Sequence, residues 1–277
     1  MTAGPFEPGE PVLLIDRKNR RYLVDLVAGQ QFHTHAGVID HDEIIGAPEG
    51  TRLKSSRNSA FLALRPTLAD AVLKMPRGAQ VVYPKDTGAI LVLADIYPGA
   101  RVLEAGVGSG ALSMSLLRAG AVVTGYERRE DFCARARANV ERFCGVEALQ
   151  RYLTEVRDVY DGIDESDLDR VVLDLPEPWR VVPHAAGALR TGGILLAYTP
   201  SIAQVQRLRG ALDDSPFGLH DTVEVLHRGW HVEGEAVRPN HRMVAHTGFL
   251  TVSRLTAQRP TAQAATGEDS REPPGSQ

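Results

Sequence analysis

"RVLEAGVGSGALSMSLLRAG" occupies residues 101–120 of this chain. An apolar run leads into Gly106, Gly108 and Gly110, and a second apolar run follows at helical spacing. This order predicts a β-strand that turns directly into an α-helix. Glycines at such a turn let the backbone approach a ligand closely, and the first turn of a helix offers free N–H groups. The stretch therefore predicts an α/β domain with a nucleotide-type cofactor at this turn.

The spacing of the loop separates two kinds of cofactor. The glycines follow a G-x-G-x-G pattern, whereas the dinucleotide fingerprint has its third glycine one residue later. Glu104 stands directly before the loop, where its charge would repel a pyrophosphate but suits a cationic sulfonium with an amino group. Glu127 ends the next predicted strand, "AVVTGYE", where a carboxylate accepts hydrogen bonds from both ribose hydroxyls. The pattern favours S-adenosylmethionine, and a dehydrogenase is the least favoured alternative.

Two further acids end later strands. Asp158 lies in "EVRDVYD" and is placed to reach an adenine amino group, and Asp174 follows the apolar run of "DRVVLDLPEPW". The two prolines predict a stiff, non-helical loop over the crevice. Asp-Leu-Pro-x-Pro-Trp resembles the D/N-P-P-Y loop of enzymes that methylate nitrogen in planar bases. A carboxylate that accepts from the N6 amine of adenine stabilises the charge developing on methylation at N1, so Asp174 is the catalytic candidate. Trp179 is either packed beside the base or a core indole.

Strand and helix patterns divide the chain into parts. After the glycine turn, strands and helices alternate. The strand-like stretches at 220–237 and 247–255 have no helix between them, which predicts an antiparallel pair at one edge. This is the layout of a class I (Rossmann-like) methyltransferase fold with a seven-stranded mixed sheet. The predicted parts are a small N-terminal β-barrel-like domain (1–65), a helical connector (66–98), the methyltransferase domain (99–256) and a disordered tail (257–277).

Composition places limits on function. The 277 residues carry a net charge of −4, which argues against a surface coated in positive charge. Basic clusters at 17–21 ("RKNRR") and 52–57 ("RLKSSR") still allow a local nucleic-acid face. Cys133 and Cys144 lie in a helical pattern, which predicts reduced, packed thiols in a cytoplasmic protein. No apolar run approaches the ~18–20 residues of a membrane span, so no membrane contact is expected.

Four longer stretches carry a family resemblance. They are "RPTLADAVLKMPRGAQVVYPKD" (65–86), "VLEAGVGSGAL" (102–112), "VLDLPEPW" (172–179) and "RGWHVEGEAVRPNHRMVAHTGFL" (228–250). Through them the chain, over about residues 5–255, resembles the bacterial and archaeal tRNA (adenine-58-N1)-methyltransferases, particularly the actinobacterial type. The resemblance implies methyl transfer from S-adenosylmethionine to N1 of adenosine 58 in the tRNA T-loop, S-adenosylhomocysteine as product, no metal, and a homotetramer.

The resemblance also assigns residues by matching motif. Asp174 lies at the methyl group and target base, and Tyr83 and Lys85 line the catalytic pocket. The expected cofactor-binding residues are Glu104, Gly106, Gly108, Ser109, Gly110, Ala111, Leu112, Glu127, Arg128, Asp158 and Asp174. The expected substrate-binding residues are Trp179, His241, His246, Arg52 and Lys54, the last two in a basic groove assembled by several chains.

The chain departs from the family pattern after "YPKD". Residues 87–90 read "TGAI" rather than Ala-Ala-Gln-Ile, so a glutamine contact to the cofactor is missing. The link between "LLRAG" and "AVVTGYE" is also shorter. Two alternatives remain open: a class I methyltransferase acting on another nitrogen, in a small amine or protein side chain, and a non-catalytic tRNA-binding subunit. The "YPKD" segment speaks against the first, and the intact glycine loop against the second.

Overall fold

The computed structural model describes residues 4–78 and 80–257. Its N-terminal part is a small β domain with a core of its own, in which Phe6, Leu14 and Phe61 are fully buried. Four strands form an antiparallel sheet in the order β2-β1-β6-β5, and β3 and β4 form a separate hairpin. The strands are β1 (Pro11–Asp16), β2 (Arg21–Asp25), β3 (Gln31–Thr34), β4 (Gly37–Asp40), β5 (Arg52–Lys54) and β6 (Ala60–Leu64).

Two helices connect this domain to the larger one. Helix α1 (Leu68–Lys74) begins with a capping box between Thr67 and Asp70, and α2 (Pro84–Leu93) begins at a proline, whose missing N–H costs nothing there. Arg21 of β2 forms an ion pair with Asp70 (2.6 Å). The first connecting helix is thereby tied to the N-terminal sheet.

The larger domain contains a seven-stranded mixed sheet, as predicted, in the order β12-β15-β11-β10-β7-β8-β9. Strands β7 to β11 run parallel, and β15 lies antiparallel between β11 and β12. The elements are β7 (Arg101–Ala105), α3 (Ala111–Arg118), β8 (Val122–Glu127), α4 (Glu130–Cys144), β9 (Tyr152–Val156), β10 (Leu168–Asp174), α5 (Val182–Ala188), β11 (Leu189–Thr199), α6 (Ile202–Asp213), β12 (Phe217–Glu224), β13 (Trp230–Glu233), β14 (Ala236–Pro239) and β15 (Phe249–Leu255).

Alternate residues of the central strands fill two apolar layers. Val102 and Val172 belong to the layer that also contains helices α1 to α4, whereas Leu103 and Val171 belong to the layer with α5 and α6. Side chains of successive strand residues point to opposite faces, so a strand covered on both faces is apolar throughout. The chain runs outward from β7 in both directions, and this reversal opens a crevice at the carboxyl ends of the strands.

Two local expectations differ from the structure. The stretch 220–237 is not one strand: β12 ends at Glu224, opposite Phe249 where β15 begins, and β13 and β14 pair with each other instead. The loop after Asp174 is also not free of helix, because Pro178–Val181 form a 3-10 turn. The fixed φ angle and missing N–H of a proline suit the first position of such a turn.

No helix within residues 4–78 and 80–257 is long and apolar enough to cross a membrane. The predicted disordered tail lies, apart from residue 257, outside the described residues.

Candidate active site

A cavity of about 420 Å³ opens at the carboxyl ends of β7, β8 and β10. It gathers nearly all the predicted cofactor residues: Glu104, Gly106, Gly108, Ser109, Ala111, Leu112, Glu127, Arg128, Asp158 and Asp174. The remaining one, Gly110, is not among the lining residues. Pro176, one of the two prolines predicted to lie over the crevice, also lines it. Sequence analysis did not single out other lining residues, among them Val81, Val82, Tyr160 and Leu175. Each of the last two is within three residues of a predicted acid, which was the available signal.

Gly106 and Gly110 are required for backbone reasons. Gly106 has φ +87°, and a methyl group there would collide with the carbonyl oxygen of Asp174. Gly110 has φ +80°, and its Cβ would lie 3.1 Å from Cα of Ala136 on α4. Residues other than glycine rarely adopt these positive φ angles. The first glycine therefore lets the loop touch the end of β10, and the second lets α3 pack on α4.

Gly108 links the loop to the predicted ribose ligand. Its N–H donates to Oε2 of Glu127 (3.0 Å), and the N–H of Arg129 donates to Oε1 of the same carboxylate (3.1 Å). These two bonds fix Glu127 between the glycine loop and the start of α4. The carboxylate is thus held at the cavity wall, where a ribose hydroxyl is its expected partner.

Glu104 is a buried acid without full compensation. It is 1% exposed, and it accepts from the Ser113 hydroxyl (2.6 Å), which in turn accepts from the Tyr152 hydroxyl (3.0 Å). Its Oε1 has no hydrogen-bond partner in the described part of the chain. Burial raises the pKa of Glu104 to about 8. A buried carboxylate in this condition gains most from a cation close by, so the site fits a sulfonium cofactor bearing an ammonium group.

Asp174 ends β10 opposite Tyr198 of β11. Burial raises the pKa of its carboxyl to about 7. Among the residues that the structure describes, none forms a hydrogen bond or ion pair with its side chain. It therefore stands at the cavity wall with its accepting oxygens available, between the glycine loop and the proline-rich loop.

Asp158 lies beyond Glu127 along the same wall. Its Oδ1 accepts the N–H of Tyr160 (3.0 Å), and its Oδ2 lies 3.5 Å from Arg128. Both predicted residues are thus in contact with each other and with the cavity. The second carboxylate oxygen has only this long pairing, so it is accessible to a ligand donor.

Tyr83 and Lys85 do not line the cavity. The Nζ of Lys85 donates to Asp86 Oδ1 (2.7 Å), to the Val225 carbonyl (2.7 Å) and to Thr247 Oγ1 (2.6 Å). An ammonium group has three donors, and all three are used here. The structure therefore gives Lys85 a fixed position between α2 and the ends of β12 and β15, while its predicted catalytic contact stays a prediction.

The predicted substrate-binding residues lie around the cavity rather than in its lining. Trp179 is half-buried, with the Arg207 guanidinium 5.4 Å from its ring centroid, and His241 is exposed. Both ring nitrogens of His246 face acceptors, Glu224 Oε1 (2.6 Å) and the Pro200 carbonyl (2.9 Å). These two bonds raise its pKa, because only the imidazolium carries both N–H groups.

Arg52 and Lys54 lie on β5, an edge strand of the N-terminal sheet, and both are exposed. They share one face of the strand because they are two residues apart, while Leu53 between them is buried. In the other basic cluster, Arg20 and Arg21 are paired with Asp16 and Asp70. Arg52 and Lys54 therefore form a small basic surface on one face of this edge strand.

Cys133 and Cys144 are free thiols, and burial raises the pKa of both, which makes them poor nucleophiles. Within the described ranges, no group of three or more His, Cys, Asp and Glu side chains gathers as a metal site would require.

Comparison with known proteins places the chain among tRNA methyltransferases. The profile of the "tRNA methyltransferase complex GCD14 subunit" family matches residues 61–238, and that of the "TrmI-like N-terminal" family matches residues 4–52. The chain is 40% identical over 250 residues to the tRNA (adenine(58)-N(1))-methyltransferase TrmI of Thermus thermophilus. That match covers 89% of this chain and 97% of the relative.

Two solved structures share the complete architecture. A SAM-dependent O-methyltransferase from Thermotoga maritima superposes with a TM-score of 0.89 at 34% identity, covering 94% of this chain and 97% of that one. The tRNA (m1A58) methyltransferase TrmI from Aquifex aeolicus superposes with a TM-score of 0.80 at 30% identity, covering 90% and 98%.

Proposed function

The chain belongs to the GCD14 family of tRNA methyltransferases, and we propose on this basis that it transfers a methyl group from S-adenosylmethionine to N1 of adenosine 58 in tRNA. The observation that carries the proposal is the pair of acids around the glycine loop. Glu104 and Asp174 line one cavity, and neither carboxyl is matched by a cation of the described chain. One acid suits a cationic donor, and the other suits a base that becomes cationic.

The cavity has the groups needed to hold the donor. When bound, S-adenosylmethionine supplies an activated methyl group on a sulfonium. Glu104 would face its positive charge, Glu127 would accept from the ribose hydroxyls, and Asp158 would accept from the adenine amine. Glu127 is already fixed by Gly108 and Arg129, so little side-chain entropy remains to be lost on binding.

Asp174 acts on the acceptor base. Its carboxylate accepts a hydrogen bond from the N6 amine, which draws electron density toward N1 and stabilises the charge that the ring gains on methylation. A carboxylate in a buried site acts more strongly on this charge than it would in water. The ionised form is the active one, so the reaction requires the carboxyl to lose its proton.

The "YPKD" segment acts by position. The Thr247 hydroxyl donates to Asp86 Oδ2 (2.6 Å) and accepts from Lys85 Nζ. The Tyr198 hydroxyl donates to the Thr247 carbonyl (2.5 Å). Tyr198 pairs with Asp174 in the sheet. Lys85 and Asp86 thus connect the start of α2, which follows Tyr83, through Thr247 to Tyr198, the residue opposite Asp174. We assign Lys85 a positioning role on this ground.

Two exposed surfaces support the proposed oligomer and the proposed tRNA contact. The β13–β14 hairpin carries exposed apolar side chains, including Trp230 (59% exposed), Val232 and Val237. Such a patch on a small hairpin is expected to be covered by another copy of the chain, in keeping with a homotetramer. Arg52 and Lys54 would then face the tRNA backbone, where phosphate contacts bring affinity.

An in vitro transcript of unmodified tRNA, incubated with the protein and labelled donor, tests the proposal. Nucleoside mass spectrometry should find 1-methyladenosine, mapped to position 58, and a transcript with guanosine at 58 should remain unlabelled. Label retained in that second transcript would point to adenosine 57 or another site. Titration with S-adenosylhomocysteine separates a third case, because a non-catalytic subunit would give no measurable binding.

A further inference from the structure

We propose that Tyr160 is a positioning residue that couples the donor end of the cavity to the acceptor loop, defined as residues 174–179. The inference rests on the proposed function, since it assigns the donor to the Asp158 side and the target base to Asp174. Tyr160 lies in the short 3-10 turn Val159–Asp161, lines the cavity and is half-buried. Tyr160 belongs neither to the glycine loop nor to the acids at the strand ends, so it has no role in the site as described so far.

Tyr160 is held at its backbone and at its side chain. Its N–H donates to Oδ1 of Asp158 (3.0 Å), and its carbonyl accepts from Nε2 of His184 on α5 (3.2 Å). Its hydroxyl oxygen accepts the N–H of Glu177 (3.1 Å), and the Arg180 guanidinium lies 4.1 Å from the ring centroid. The residue thus contacts Asp158 at one end and the acceptor loop at the other.

The two prolines of the acceptor loop leave it few backbone donors, so its hydrogen bond to the Tyr160 hydroxyl is important for holding it in place. Pro176 and Pro178 have no N–H, so Glu177 provides the only backbone donor between them. That donor goes to Tyr160, while the Pro176 carbonyl accepts from Gln204 Nε2 on α6 (2.9 Å). The loop is therefore fixed from two sides, and Tyr160 is the side that faces the donor.

The arrangement connects two binding events. Asp158 would be held in place by a bound donor nucleoside, and because its Oδ1 accepts the N–H of Tyr160, the ring and hydroxyl of Tyr160 would be held with it. Glu177, three residues after Asp174, is held in turn. Because a misplacement of about 1 Å costs about a hundredfold in rate, loss of this contact is expected to act on turnover rather than on donor affinity.

The test is Tyr160→Phe, which keeps the ring, the Arg180 contact and both backbone bonds and removes only the hydroxyl. Tyr97→Phe is the matched control, because Tyr97 donates to Asp169 at the opposite edge of the sheet (2.8 Å). With tRNA and donor both saturating, we expect kcat to fall by about tenfold or more in Tyr160→Phe, with the donor KM changed less than about twofold. Tyr97→Phe should keep kcat. Equal kcat in Tyr160→Phe and the wild type, or an equal fall in both variants, would overturn the inference.

A fluorescence arm does not depend on tRNA methylation. The chain has two tryptophans, and Trp179 lies in the acceptor loop, so a Trp230→Phe reference protein reports on that loop alone. S-adenosylhomocysteine should change the emission of Trp179 in this reference protein, and Tyr160→Phe should lose most of the change while calorimetry still detects binding. A full response in Tyr160→Phe would contradict the coupling even if the tRNA substrate proved to be wrong.

Discussion

The two ends of strand β10 treat buried charge in opposite ways. At its start, Arg170 is 2% exposed and donates to the carbonyls of Ala94 and Asp95 and to the Asp95 carboxylate (2.8 Å). Asp169 beside it accepts from the Arg101 N–H, the Tyr97 hydroxyl and Arg190. Burial alone would raise the pKa of Asp169, but these bonds lower it below its ordinary value.

At the other end of the strand, Asp174 and the neighbouring Glu104 have raised pKa values of about 7 and about 8. The charges at the start of β10 are therefore matched by the protein, whereas Asp174 at its end and Glu104 on the adjacent β7 are not. Matched charges support the fold, whereas unmatched ones keep interaction energy for a ligand. The following changes test this contrast between the two ends.

The largest effect is expected at the matched end. Arg170→Met should lower the free energy of unfolding by about 3–5 kcal/mol, because the carbonyls of Ala94, Asp95 and Asp169 lose their donor and each unsatisfied buried acceptor costs about 1–3 kcal/mol. Urea titration measures the loss. The folded fraction should keep its kcat within about twofold, since the change lies at the edge opposite the cavity; a collapse of kcat at full folding would break the contrast.

Asp174→Asn should have the opposite effect, with activity lost and stability kept. We expect kcat to fall by about 10²–10³-fold, because the amide cannot supply the negative charge that stabilises the cationic base. The melting temperature should be unchanged or higher, since a buried ionisable group has been removed. Asp169→Asn is the matched control at the other end and should lose stability while keeping kcat. Activity retained in Asp174→Asn would remove Asp174 from the mechanism.

The unmatched acids should give a pH dependence of stability. The folded-state pKa of Glu104 is raised from 4.5 to about 8, so its contribution is fully present below pH 4.5 and is lost as pH rises through 8. Each pKa unit corresponds to ~1.4 kcal/mol, so the loss should exceed about 1 kcal/mol. Denaturant titrations at pH 5 and pH 9 measure it, and Glu104→Gln should flatten the decline. Saturating S-adenosylmethionine should also reduce it, because a cation favours the ionised form.

Activity should rise with pH, whereas the stability contribution of Glu104 falls with pH. The Asp174 carboxyl of the free protein has a raised pKa of about 7, and the carboxylate is the active form, so kcat/KM should rise with pH through about 7 and then level off. A pH series of initial rates at donor and tRNA concentrations well below KM measures the profile. A rate that falls across this range would mean that the protonated acid is the active form.

The smallest effect is expected in helix α2, which connects the cavity end of the sheet with the end at which Arg170 lies. Helix α2 extends from Lys85, which contacts Thr247 near the cavity, to the carbonyls that Arg170 caps. Gly88 lies in its middle, is exposed, and would find no atom within 4 Å of an added Cβ. Gly88→Ala should raise the free energy of unfolding by about 0.5–1 kcal/mol and leave kcat unchanged. A destabilised variant would indicate that this face of α2 is covered in the assembled protein.

The unmatched end of the sheet was largely predictable from sequence, and the connections around it were not. Glu104 and Glu127 stand where apolar strands end, and parallel strands bring such ends to one edge, so their meeting follows from the pattern. Lys85 is bound by Thr247, 162 residues later, and no local pattern encodes that contact. Tyr160 was missed for the same reason, because its hydroxyl partner is a backbone N–H in another loop.

The β13–β14 hairpin shows a further limit of local patterns. Alternation of residues indicates the extended structure of β12, β13 and β14 but not the break at 225–229, and the choice of partner depends on where β15 begins. Once β15 is fully used opposite β12, the next residues can pair only with each other. Strand periodicity is a local property, whereas strand pairing is a property of the sheet.

The place of β15 between β11 and β12 also bears on biosynthesis. It is the last strand along the described chain, yet it pairs with both β11 and β12, so β12 has no partner in the sheet until residues 249–255 leave the ribosome. A nascent chain that stops short of Leu255 would expose the edges of β11 and β12, the kind of edge at which chains aggregate. Stop codons within the final strand should therefore yield insoluble protein, although every residue that lines the cavity would already have been translated.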